Sequence, residues 1–116
     1  MRLATRIWVS AFVRNETAAG FHVAVLRKGA AEAGAVFVLQ RHPGGAFSLF
    51  APAPQAMFAK GEELDRKFEL VTAVSNEAEA NRYIEKQVAF DSDCWVLETD
   101  GRDPPRFLAL QHDAEK

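Results

Sequence analysis

Three histidines, one cysteine and a close pair of aspartates are the residues of this chain best suited to metal binding or bond making. His22, His42 and His112 are far apart, and no two share the helical i, i+4 spacing that lets imidazoles grip one metal. Asp91 and Asp93 are spaced so that both carboxylates can meet one divalent cation. The stretch around them lacks the further oxygen ligands and the turn glycine of such sites, and short polar side chains that stop a helix explain them better. Cys94 is the single cysteine, which excludes an internal disulfide and a multi-cysteine zinc site. It opens the apolar run Trp95-Val96-Leu97 and reads as a buried thiol rather than a nucleophile. Ser10, Ser48, Ser75 and Ser92 stand in no G-x-S-x-G or S-x-x-K context. Gly29, Gly34, Gly44 and Gly45 form no phosphate-cradling pattern. The expectation is a chain with no catalytic residues, no metal and no cofactor.

Cations at the ends of elements remain. Arg14, Arg27, Lys28 and Arg41 fall where a helix or strand is expected to stop, and such groups can take a small anion or a partner's carboxylate. Charged strand ends also serve ordinary solvation and edge protection. A second candidate group is apolar. Val9 and Val13 lie on a different helix face from the stripe Leu3, Ile7 and Ala11, which Ala4, Trp8 and Phe12 widen. That helix is apolar over more of its circumference than a surface helix needs, which makes Trp8, Val9 and Val13 a candidate interface.

These residues need elements to hold them. The spacing predicts a helix over residues 2–19, ended by Gly20. Strands rich in β-formers follow at 21–27, 35–40 and 46–50, the last two joined by the turn Arg41-His42-Pro43-Gly44-Gly45. Pro52 and Pro54 break regular structure, and 52–66 reads as a long connection able to act as a lid. A weaker strand at 67–72 comes next, then a helix to Phe90 whose start is marked by Asn76 and Glu79 as a capping box. A strong strand at 94–98 and a short one within 107–110 complete the order α-β-β-β-β-α-β. Short connections favour an antiparallel meander, so the expected class is α+β: a mostly antiparallel sheet of four to six strands with two flanking helices. Both faces of the early strands are apolar, so both should be covered, by the two helices or by a partner.

Composition sets outer bounds. With 116 residues, 48% hydrophobic and 26% charged, the chain suits one globular domain spanning 1–116, with 111–116 as a frayed tail. Fourteen basic against sixteen acidic residues give a net charge of −2, which disfavours nucleic acid as a partner. Arg6 and Arg14 cut the N-terminal apolar run too short for a signal peptide, and no later stretch spans a bilayer. The expectation is a cytoplasmic protein away from membranes.

Several blocks resemble a family. Leu3-Ala4-Thr5-Arg6-Ile7-Trp8-Val9 is similar to its opening. Arg27-Lys28-Gly29, Ala33-Gly34-Ala35-Val36 and Pro52-Ala53-Pro54-Gln55 are similar to its central blocks. Tyr83, Phe90-Asp91-Ser92-Asp93 and Trp95-Val96-Leu97-Glu98 are similar to its last block, although Ser92 stands where that block is expected to carry proline. The resemblance is to a bacterial family known as domain of unknown function number 1491 and runs from Leu3 to about Leu110. It implies a single-domain cytoplasmic bacterial protein and brings no catalytic or binding residue with it. The residues themselves favour a non-enzymatic interaction module, self-associating or bound to another protein, because the apolar surface exceeds what two helices easily cover. The alternative is a small-molecule or anion-binding protein with its basic site at strand ends and the 52–66 loop as its lid. RNA binding through strand aromatics such as Phe37, Phe47 and Phe50 is a third reading, which the acidic balance disfavours.

Overall fold

A computed structural model describes residues 3–53 and 66–100 and the backbone of 109–110. Its elements are α1 (Thr5–Ala18), β1 (Val23–Arg27), β2 (Val36–Arg41), β3 (Phe47–Pro52), β4 (Lys67–Val74), α2 (Glu77–Phe90), β5 (Trp95–Asp100) and β6 (Ala109–Leu110). The strands form one sheet in the order β1-β5-β2-β3-β4-β6. Pairs β1/β5, β2/β3 and β3/β4 are antiparallel, while β5/β2 and β4/β6 are parallel. The α+β class, the mostly antiparallel sheet and the two flanking helices are those read from the sequence.

One pairing departs from the expected meander. β1 does not neighbour β2, because β5 lies between them and runs parallel to β2. Parallel neighbours need a crossover, and α2 contributes to it. The exchange follows from burial. Trp95 and Leu97 join the core on the α1 side, Val96 joins it on the α2 side, and all three are almost fully buried. A strand apolar on both faces gains most at the centre of a sheet with both faces covered. β1 takes the edge instead, leaving Val25 45% and Leu26 52% exposed, so its two-sided apolarity does not mean two-sided burial.

Each helix covers one face. Val9 and Phe12 of α1 pack on Val36, Val38, Phe50, Phe68, Trp95 and Leu97. Ala80, Tyr83, Ile84 and Val88 of α2 pack on the opposite side, against Leu39, Phe47, Leu49 and Val96 and against Phe37, Ala51 and Cys94. The inward side of α1 is Thr5, Val9, Phe12 and Glu16, so the expected stripe of Leu3 and Ile7 is in fact solvent-facing. Two polar residues occupy that inward side, which hides its period from a hydrophobicity pattern.

The ends of the helices are specified locally. Gly20 has φ +97°. The Phe21 N–H reaches the Glu16 carbonyl at 2.9 Å and the Gly20 N–H reaches that of Thr17 at 3.0 Å, closing α1 as a Schellman motif. At its start, the Thr5 and Arg6 N–H groups donate to the carbonyls of Glu32 and Ala31, so α1 begins where the 28–35 loop meets it and not at residue 2. Asn76 Oδ1 accepts the Glu79 N–H at 2.9 Å, and Glu79 Oε1 accepts from the Ser75 N–H at 3.1 Å. This is the expected capping box with its return bond made one residue earlier. No helix among the described residues is long and apolar enough to cross a membrane. Residues 54–65 of the expected lid and the 111–116 tail lie outside the described residues.

Candidate functional site

An open groove of about 530 Å³ lies between α1 and β1, lined by Arg6, Val9, Ser10, Val13, Arg14, Val25, Lys28 and Trp95. Its floor is apolar. Val9 and Val13 come from one helix side, Val25 from the edge strand and Trp95 from its neighbour. The indole is held in place because Trp95 Nε1 donates to the Ala30 carbonyl at 2.8 Å. Arg6, Ser10 and Arg14 follow one another at i, i+4 and i+8 along the exposed side of α1, which puts them in a row above the floor. Lys28, just past the end of β1, adds a third cation.

The loop from Lys28 to Ala35 fixes one end of the groove. Gly29 and Gly34 let it lie directly on the main chain of Asp93 and Cys94, just before β5, since a Cβ at Gly29 would overlap the Asp93 carbonyl and one at Gly34 would meet Trp95 Cδ1 at 2.9 Å. The Thr5 hydroxyl donates to the Gly34 carbonyl at 2.9 Å and accepts from Arg66 Nη2 at 2.7 Å, tying the helix start to the same loop. Arg6 and Lys28 therefore sit towards the loop end. Arg14 lies two helical turns on, towards the end where Thr99 Oγ1 donates to Glu16 Oε1 at 3.4 Å.

The four cations singled out in the sequence divide between sites. Arg14 and Lys28 share the groove and meet no carboxylate among the described residues, whereas Arg6 pairs with Glu32 at 3.8 Å with both side chains mostly exposed. Arg27 belongs elsewhere: its Nη2 donates to the Ser92 carbonyl at 2.7 Å. Arg41 lies at the opposite end of the sheet, bonded to Glu98 at 3.0 Å, near Glu77 at 3.7 Å, and 4.8 Å above the Phe47 ring. The hydrogen bond to Glu98, with that carboxylate's charge, pushes the Arg41 guanidinium further up from its ordinary value. Of the apolar candidates, Val9 is 4% exposed within this chain's own core. Trp8 stacks on Phe12 at 5.2 Å and leans on Phe68 at 5.4 Å, and Val13 is half-buried along the groove.

A polar row went unread in the sequence. Thr99, Gln40 and Ser48 are paired neighbours across β5, β2 and β3, on the α1 side by strand alternation from Leu97 and Val38. His42 Nε2 and Ser48 Oγ are 2.6 Å apart. A serine bonded to an imidazole is the start of a nucleophile, but among the described residues no side chain holds His42 Nδ1. The contact therefore ties together the β2–β3 turn, where Gly44 and Gly45 take φ +92° and +96°. Cys94 is fully buried, and burial followed by the nearby Asp91 pushes its thiol up from the ordinary range. Asp91 Oδ1 accepts the Asp93 N–H at 3.0 Å, which is a local helix stop.

Fold and groove together define a small three-layer α+β domain with a cation-rimmed apolar groove beside an edge strand. The chain belongs to the DUF1491 family, described as a protein of unknown function, whose model matches residues 3–109. It is similar to protein Atu0922 from A. tumefaciens, solved in solution, at 39% identity and TM-score 0.82 with the whole of both chains covered. It is also similar to a DUF1491 family protein from Caulobacter crescentus CB15. The crystal structure gives 31% identity and TM-score 0.76, covering 97% of this chain and 100% of that one. The NMR structure gives 32% and 0.74, covering 97% and 99%. No curated protein matches the chain.

Proposed function

We propose that this chain is a non-enzymatic, cytoplasmic binding module whose α1–β1 groove holds an anionic ligand with an apolar body. The carrying observation is the conjunction of an apolar floor with Arg14 and Lys28, two cations that no described carboxylate neutralises. Cations over an apolar cleft attract a carboxylate whose remainder is removed from water. A simple probe is octanoate, followed by Trp95 fluorescence in a Trp8→Phe background. Octanoate should saturate the signal, the Arg14→Glu/Lys28→Glu variant should bind at least tenfold more weakly, and octanol should bind poorly. Equal binding of octanol, or a double variant indistinguishable from the parent, overturns the reading.

Self-association is the second reading, supported by the exposure of Val25 and Leu26 on the edge strand. Sedimentation equilibrium decides it, since a chain that stays monomeric at high concentration does not self-associate.

A further inference from the structure

We propose that the ligand of this groove is an extended segment of a partner polypeptide, with acidic residues four apart and an apolar residue between them, which adds to β1 as a further strand. The proposal rests on the anionic-ligand reading of the groove and names its partner. Its first support is the outward main chain of β1, which pairs with no other described strand on that side. The Asp100 N–H donates to the His22 carbonyl at 3.2 Å, which marks His22 and Asp100 as a hydrogen-bonded pair. Antiparallel pairs alternate, so Ala24/Glu98 is the next bonded pair, and Val23 and Val25 turn their N–H and C=O outwards. No described strand meets that edge. A small acid would leave those groups to water, whereas a polypeptide pairs with them.

The second support is geometric. Val23 packs against the α1-side core and Val25 lines the groove, so a strand laid beside β1 at about 4.8 Å turns every second side chain towards the same cleft. Arg6 and Arg14 are eight helical residues apart, about 12 Å along the axis. Two strand residues four apart are separated by about 13 Å. Carboxylates at those positions therefore reach Arg14 at one end and Arg6 with Lys28 at the other, and the residue midway lies over Val13 and Val25. The register of β1 shifts between Val25 and Arg27 before pairing resumes at Arg27 and Val96, so the regular edge offered to an added strand is short. A second copy of this chain suits the edge less well, because antiparallel β1–β1 pairing brings two cation-rimmed grooves together on one face.

The test uses the full chain and a blocked peptide, acetyl-Glu-Thr-Leu-Thr-Glu-Thr-amide. Its controls are the same peptide with both glutamates replaced by glutamine, with the glutamates two apart, and with N-methyl groups on the amides that face β1. NMR hydrogen exchange should show the Val23 and Val25 amides slowed at least tenfold by the parent peptide, with affinity at least tenfold lower for each control. Octanoate binding without peptide-induced protection at Val23 and Val25 overturns this inference and leaves the anionic groove standing. Failure of both probes overturns both. Protection of Val23 and Val25 that rises with protein concentration in the absence of peptide assigns the edge to a second copy and overturns the proposal. Indifference to N-methylation overturns strand addition.

Discussion

At the scale of single residues, the buried polar groups show most clearly how this chain uses its chemistry. Thr5 is fully buried, donating to the Gly34 carbonyl and accepting from Arg66. Thr5→Val keeps its shape but strands the Gly34 carbonyl, while Arg66 Nη2 keeps its bond to the Leu3 carbonyl at 3.0 Å, so the expected cost is about 1–3 kcal/mol in urea unfolding, the range for an orphaned buried hydrogen-bonding group. A loss under 0.5 kcal/mol by the same rough scale would mean that water replaces the hydroxyl. Cys94 and Tyr83 make a second prediction. Burial raises both ionisations, followed by Asp91 for the thiol and by Glu69 for the phenol. A raised folded value means that the native state holds its proton longer than the unfolded one. The stability is thus fully present below the ordinary thiol range, roughly pH 8.5, and falls as pH rises through the thiol range and then the phenol range, roughly pH 10. Folded protein should resist thiol reagents at pH 8, and Cys94→Ala should flatten the first part of the alkaline decline. Cys94 was legible as a buried thiol from its apolar context alone. Thr5 and Glu16 were not, because a polar residue on the inward side of a helix looks like solvent-facing surface until its partners, Gly34 and Thr99, are known.

At the scale of elements, strand and helix positions were readable to within a few residues. Their local signals, Gly20, Asn76 with Glu79 and the Pro43-Gly44-Gly45 turn, act between near neighbours in the chain. The neighbour of β1 was not readable. Short connections argue for a meander, yet β5 from the far end of the sequence outcompetes β2 for that place because its two apolar faces need the sheet centre. The grouping of Arg14 with Lys28 was equally hidden, since it depends on how α1 crosses β1. Gly29 is the element-scale device that permits this arrangement, as its missing Cβ lets the 28–35 loop rest on the backbone of Asp93 and Cys94 just before β5. Gly29→Ala pushes backbone against backbone, with an expected loss of about 1–3 kcal/mol as for other overpacked sites. It should also displace Lys28 and weaken octanoate binding. Wild-type stability and affinity in this variant would mean that the loop relaxes without touching the groove.

At the scale of the molecule, the sheet joins strands from distant parts of the chain. β5 is hydrogen-bonded to β1 on one side and β2 on the other, so removing it separates β1 from the rest. A chain ending at Phe90 should therefore lack a cooperative unfolding transition and bind hydrophobic dyes, whereas a folded truncation would show that β1 closes directly on β2. The same placement bears on synthesis. During translation the ribosome releases α1, both hairpin-linked strands and α2 before residues 95–100 emerge. Until then, Val36, Val38 and Leu39 have no strand beside them on that side. Long-range pairing of this kind is slow and exposes apolar strands while it waits. The emerging chain is thus at its most vulnerable just before β5 leaves the exit tunnel, and chaperone occupancy measured on ribosomes stalled at successive lengths of an added C-terminal linker should peak there.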